Sequence, residues 1–393
     1  MKKKHLNSPV VLLAVSAVFS LVFIESAYAI PAFARKYRLS CKTCHQPIPR
    51  LKAYGDDFAG NGFVLTDQEA PRYYVETGDE ELSLIRDFPI AVRMDGYANY
   101  NDVAGKKSDF NTPYLLKLLS GGALTKNIAY YFYFYMDERG EIAGVEDAYI
   151  HFNDLLGVDL DFYLGQFQVS DPLFKRELRL SLEDYQIYRT RVGGSRINLT
   201  YDRGLMVTYG MPSGTDLIFE VVNGNGIVEA DPDRNFDSDR HKNFMGRISQ
   251  DVGEYLRIGA FGYTGWERSS GLLNEVWLAG PDLSFTVGEK FELNAQYVER
   301  RDTNPYFLAA GFREIKTQGA FGEMIIAPEG DDSKVYLVGL FNWVDSEDNS
   351  EDYKSLTGHL SFLLRRNIRL VGEYTHNWAN DTNRIGMGFV SAF

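Results

Sequence analysis

Cys41-Lys42-Thr43-Cys44-His45 is a C-x-x-C-H run, the spacing that attaches haem covalently. Two thiols three positions apart can each form a thioether with one porphyrin vinyl group. The adjoining imidazole then ligates the iron from the same face. A structural zinc site would need four ligands, and no second Cys or His lies near this run. A redox dithiol would need a thioredoxin-like strand and helix around it, which the stretch lacks. The motif therefore assigns Cys41 and Cys44 as the thioether positions, His45 as the proximal iron ligand, and one covalent haem c as cofactor.

The elements that must position this group are short. Leu51, Tyr54 and Phe58 recur at i, i+3 and i+7, which predicts one apolar helical face against the porphyrin, ending at Gly60 and Gly62. Residues 30–87 contain no Met, and no His besides His45, so a sixth ligand has to come from elsewhere in the chain. A domain this small is also marginal alone. Both facts predict that the remainder of the chain completes the site.

The chain reads as exported. Lys2, Lys3 and Lys4, then the apolar stretch Val10 to Ile24, then Ala27-Tyr28-Ala29 spell a secretory leader over residues 1–29. The stretch is short for a membrane span and no stop-transfer pattern follows, which favours cleavage over an uncleaved anchor. Beyond it the longest apolar run, Ile128 to Met136, has nine residues. A spanning helix needs about 18, so a helical membrane protein is excluded. The 393 residues carry 41 Lys and Arg against 54 Asp and Glu, a net charge of −13. Three lysines and one glutamate lie in the leader, so residues 30–393 carry −15. So acidic a chain argues against a nucleic-acid partner.

Residues 88–393 show a period of two. From Phe88 to Tyr100 the even positions read Phe, Ile, Val, Met, Gly, Ala, Tyr, while Arg93, Asp95, Tyr97 and Asn99 occupy odd ones. Segments of this kind start near residues 88, 113, 128, 145, 158, 201, 215, 241, 255, 274, 290, 313, 333, 353, 367 and 382, sixteen in all. An even count with short turns alternating with long loops, such as 167–200 and 224–240, suits a bacterial outer-membrane barrel with the long loops outside. A soluble sandwich of that many strands would be large, and propeller blade motifs are absent. The predicted fold is an all-β transmembrane barrel of about 16 antiparallel strands preceded by a small helical c-type haem domain. The divisions are a signal peptide at 1–29, the haem domain at 30–87 and the barrel at 88–393.

Parity sorts the candidates for the sixth ligand. Met94 and Met136 fall on apolar, lipid-directed faces. His151, His359 and Met206 face the lumen and are the distal-ligand candidates, with simple pore lining as their other role. A vacant or water-bound position is the remaining outcome. Two acidic loop clusters, Asp345 to Asp352 and Asp231 to Asp239, would concentrate divalent cations by steering, or form a solvated surface.

Ile30-Pro31-Ala32-Phe33-Ala34-Arg35-Lys36-Tyr37, followed by Cys41–His45, Pro49-x-Leu51, Tyr54-Gly55, Phe58 and Gly62-Phe63, resembles the start of the fused monohaem cytochrome–porins of iron-oxidising bacteria. The resemblance implies electron uptake from extracellular Fe(II) across the outer membrane, an iron:cytochrome c reductase-like activity. The barrel itself points to the outer membrane and its lipid, and the fusion puts the haem domain at the periplasmic mouth or inside the lumen. One haem cannot bridge both sides, so a periplasmic c-type cytochrome is an implied partner. Electron export to extracellular acceptors uses the same parts in reverse. A substrate-specific porin whose haem domain is a redox-responsive plug is the reading from another class.

Overall fold

The computed structural model describes residues 32–65, 74–75, 78–79, 81–82, 84–85, 88–102, 108–237 and 239–393. The leader lies outside the described residues. Helix α1 spans Ala32–Tyr37 and α2 spans Ala53–Gly60, with a 3-10 turn at Cys41–Thr43 between them. Gly62, at φ +65°, ends the α2 segment in the left-handed region that glycine tolerates. A two-residue ladder then pairs Tyr74–Val75 with Leu84–Ile85.

The strands follow as β1 (Ile90–Asn101), β2 (Ser108–Thr125), β3 (Ile128–Glu138), β4 (Gly144–Phe152), β5 (Leu160–Gln168) and β6 (Tyr201–Gly210). Next come β7 (Thr215–Val222), β8 (Asn243–Val252), β9 (Leu256–Ser269), β10 (Leu272–Val287) and β11 (Phe291–Asp302). The last are β12 (Ile315–Ile326), β13 (Val335–Ser346), β14 (Tyr353–Arg365), β15 (Ile368–Asn377) and β16 (Thr382–Ala392). Each pairs antiparallel with its sequence neighbour, and β16 closes on β1, with Phe389 opposite Gly96. The Phe393 amide donates to the Val92 carbonyl at 2.8 Å, extending that seam to the last residue. Closure removes every sheet edge, the condition for backbone to cross a bilayer.

Strand β14 shows why these residues form this barrel. Ser355, Thr357, His359 and Ser361 are buried on its inner face, while Leu356 and Leu360 are each 49 % exposed on the outer one. Polar inside and apolar outside is the reverse of a soluble protein, and the outer band belongs in lipid. Leu360→Arg should therefore cost about 2–4 kcal/mol near the bilayer midplane, read by denaturant titration in lipid, whereas Thr208→Arg on the lumen side should cost less. Equal costs would overturn the assignment of faces. Strand β2 begins earlier than its sequence start near 113, because a register shift opposite Asp95–Tyr97 accommodates Pro113 within the strand.

The segment after β5 departs from expectation. Residues 169–200, expected to face outward, fold into the lumen. Leu173, Tyr185, Ile187, Tyr188, Ile197 and Leu199 pack there against inward side chains such as Met245, Phe321 and Leu340. The physical reason is composition: those apolar groups would otherwise stand in water. The barrel wall pins the segment at its backbone. Glu373 accepts from the Leu182 and Glu183 amides at 2.7 and 2.9 Å, Asn342 donates to the Asp184 carbonyl at 2.9 Å, and Arg369 donates to that of Leu180 at 3.1 Å. A short helix, α3 (Gln186–Arg189), lies inside this plug.

Candidate functional site

Ser40 caps the 3-10 turn, its hydroxyl accepting from the Lys42 amide at 3.4 Å, and the His45 amide donates back to the Cys41 carbonyl at 2.9 Å. The turn winds Cys41, Cys44 and His45 onto one cavity. Helix α2 passes close behind it. A Cβ on Gly55 would stand 2.4 Å from the Cys44 carbonyl oxygen, so only glycine allows that approach. Phe58 and Leu51 line the cavity as their spacing predicts, but Tyr54 is exposed and Gly55 takes the buried position.

The cavity measures about 270 Å³, room for roughly twenty waters at about 10–15 Å³ each. One wall is the small domain, with Phe33, Tyr37, Ile48 and Phe58 beside the three motif residues. The facing wall is the barrel: Lys117 and Leu119 of β2, Tyr131 and Tyr133 of β3, Asp147 and Tyr149 of β4. Asp171, Lys175 and Glu177 of the lumen plug complete it. The domain's own core also borrows from the barrel, since Phe58, Phe63 and Leu65 cluster with Ala129, and Phe63 stacks on Tyr131 at 5.7 Å.

The domain is seated in the barrel mouth at the end where β1 begins and β16 finishes. Lys42 pairs with Asp332 at 3.1 Å and Lys52 with Asp331 at 2.5 Å, both acceptors lying in the turn before β13. Arg50 reaches Glu292 and, at 3.6 Å, the buried Glu323. From the plug, Lys175 donates to Asp56 at 2.6 Å. Exposed pairs such as Lys42–Asp332 each contribute about 0–1 kcal/mol, so the part-buried Arg50 and Lys52 pairs and the Phe63–Tyr131 stack matter more to the seating.

The residues present suit a covalent haem. His45 donates from Nδ1 to the Pro49 carbonyl at 3.1 Å, which leaves the lone pair on Nε2, the arrangement of a metal-ligating imidazole. Burial pushes this imidazole below its ordinary range, against the pull of the Pro49 and Arg50 carbonyls, which favours the neutral form. Burial likewise raises both thiols above theirs. The two cysteines are free and open onto the same space. Cys41, Cys44 and His45 would hold the group.

Solved structures with this architecture are outer-membrane porins. An anion-selective porin from Comamonas acidovorans superposes with a TM-score of 0.59 at 12 % identity, covering 78 % of this chain and 99 % of that one. OmpT of Vibrio cholerae, in trimer form, gives 0.55 at 10 % identity over 78 % and 99 %. Salmonella typhi OmpF, in complex with daunomycin, gives 0.54 at 9 % over 78 % and 97 %. The barrel has the porin fold. No family model and no curated protein matches the sequence.

Within this porin-fold barrel the three distal candidates face the lumen but none lines the cavity. His151 stacks on Tyr163 at 4.1 Å, with Nε2 3.4 Å from an Asp161 oxygen. His359 donates to Glu373 at 2.9 Å and lies 2.7 Å from the Ser361 hydroxyl. Met206 packs against the plug. In the acidic loops, several carboxylates also accept backbone hydrogen bonds. Asp352 accepts from the Ser346 amide at 2.9 Å, Asp231 from that of Asn235 at 2.8 Å, and Asp239 from those of His241 and Arg268. Asp352 and Asp231 close their own loops, Asp239 also ties its loop to β9, and no three acidic, His or Cys groups among the described residues could hold a metal ion.

Sequence reasoning missed the phenols. Tyr131, Tyr133 and Tyr135 sit in the apolar run of β3, and the same parity that sorted the ligands places them inward. The contributions of Asp171, Lys175 and Glu177 carried no such signal, because they depend on the plug turning inward.

Proposed function

We propose that this chain is an outer-membrane electron-transfer protein. It would carry one covalent haem at the periplasmic mouth of a porin-fold barrel and pass electrons between extracellular Fe(II) and a periplasmic c-type cytochrome. The observation that carries the reading is the opening of Cys41, Cys44 and His45 onto a cavity shared with the barrel wall, in a barrel whose segment 169–200 packs apolar side chains into the lumen. A haem held there supplies a one-electron centre. The chain's own residues bind and orient it: the thiols tether it, His45 presents Nε2, and Tyr131 and Phe58 exclude water. Residues 169–200 obstruct solute flow, which an electron path does not need.

Fe(II) mixed with the oxidised full-length holoprotein should shift the haem spectrum to the reduced form. An unchanged spectrum with Fe(II), alongside ready reduction by a low-potential donor, would move electron export to first place. The fold itself favours a second reading, a porin whose haem domain is a plug. Liposome swelling separates the two: free passage of sugar or phosphate through the haem-loaded barrel supports the porin, and its absence supports the electron path.

A further inference from the structure

All four tryptophans of the chain, Trp266, Trp277, Trp343 and Trp378, stand near one end of the barrel. They lie in β9, β10 and β13 and just past β15, at the end that carries the longer loops 223–242 and 303–314. In an outer-membrane barrel that end is extracellular. Their chain neighbours Glu267, Val276, Leu278, Asn342, Val344 and Asn377 are buried toward the lumen, so parity turns the indoles outward.

Tryptophan at this level is the ordinary anchor of a membrane protein among headgroups. Cations in register with it need a further reason. The ladder sets Trp277 opposite Arg301, Arg301 opposite Lys316, and Trp343 opposite Lys354. Opposed residues share one face of the sheet. The Arg301 guanidinium lies 5.8 Å from the Trp277 ring centroid, and the Lys354 ammonium lies 5.8 Å from that of Trp378. Arg268 is exposed on the same side of β9 as Trp266. The outward carboxylates of this arc are Glu275, Glu299 and Asp345, and Glu299 pairs with Arg301 at 2.6 Å. Lys316 and Lys354 are exposed and form no ion pair among the described residues. Four cations against three carboxylates make a net positive rim on a chain that is otherwise strongly acidic. Toward the midplane Met324, Phe341, Leu356 and Leu360 are exposed and apolar. The same level of β1 to β3 shows the uncharged Tyr100, Phe110 and Met136. Apolar groups, then indoles, then cations is the order in which the arc from β9 to β15 meets the outer leaflet, and it matches acyl chain, sugar and phosphate.

We propose that this arc binds the phosphorylated, acylated disaccharide of the outer leaflet, lipid A. Lys316 and Lys354 receive its phosphates, and Trp277, Trp343 and Trp378 lie against its sugars and upper acyl chains. The association is non-covalent, and it depends on the outer-membrane placement of the barrel and not on the haem. The tryptophans themselves report on the arc, since none lies elsewhere. The full-length protein in detergent micelles is titrated with diphosphoryl lipid A, with its dephosphorylated counterpart and with inorganic phosphate, following tryptophan emission. The expected result is a saturable change with diphosphoryl lipid A and binding about tenfold weaker without the phosphates. The Lys316→Gln/Lys354→Gln variant should show the same loss, about tenfold, toward diphosphoryl lipid A. Equal affinity of the unaltered protein for the two lipids overturns phosphate recognition and leaves a plain aromatic girdle, whatever the variant does. Undiminished binding by the folded variant overturns the two lysines as the receiving groups. An equal response to inorganic phosphate overturns the glycolipid as the occupant.

Discussion

The Cys41→Ala/Cys44→Ala variant should yield a folded barrel from which all covalent haem is gone. The strands owe their ladders to backbone pairing and their outer face to lipid, and neither thiol enters those contacts. Loss of both thioether positions leaves nothing to survive denaturation. Haem staining after denaturing electrophoresis should be absent, while far-ultraviolet circular dichroism keeps its β signature. Stained protein from this variant would sink the attachment assignment. His45→Ala should retain less haem and give an altered iron spectrum, since the axial imidazole is lost.

Arg300→Ala should be the most damaging single change in the plug's anchorage. The guanidinium is buried and donates to Asp302 at 2.7 and 2.8 Å, to the Thr190 and Ile197 carbonyls at 3.0 and 2.8 Å, and to the Ser195 hydroxyl at 3.2 Å. Its removal leaves the buried Asp302 carboxylate with Asn274 as its remaining side-chain donor and takes the guanidinium from the Thr190 and Ile197 carbonyls. Breaking such a buried pair costs about 3–5 kcal/mol. The neighbouring Arg301 pairs with Glu299 and lies 5.8 Å from the Trp277 ring centroid on the exposed side, so Arg301→Ala should cost about 1 kcal/mol. Denaturant midpoints should separate the two, and planar-bilayer conductance should rise for Arg300→Ala alone as the segment loosens. Equal midpoints would mean that Arg300 does not anchor the plug.

Strand positions were legible because alternation is a local property. The run Ser355, Thr357, His359, Ser361 against Leu356, Leu360 and Phe362 names both faces of β14 without any tertiary knowledge. Cys41, Cys44 and His45 stand within five positions of one another, so their meeting on one cavity could be read from local spacing alone. What escaped depends on long-range packing. The inward fold of 169–200 is set by partners such as Arg300 and Glu373, more than 100 residues away. Tyr54 fitted the helical period, yet the closeness of the Cys44 carbonyl gives the buried place to Gly55. The acidic loops looked like a charge pattern, and their carboxylates turned out to bond the nearest amides.

The seating of the small domain imposes an order on biogenesis. Its cysteines open onto a space walled on the far side by β2, β3 and β4, and the barrel is sealed around that space by the pairing of β16 with β1. Both cysteines stay half-buried in the seated domain, and the far wall of their space exists only once that seam is zipped. On the proposed haem reading, the wall that faces the cofactor is therefore the last part of its surroundings to be completed.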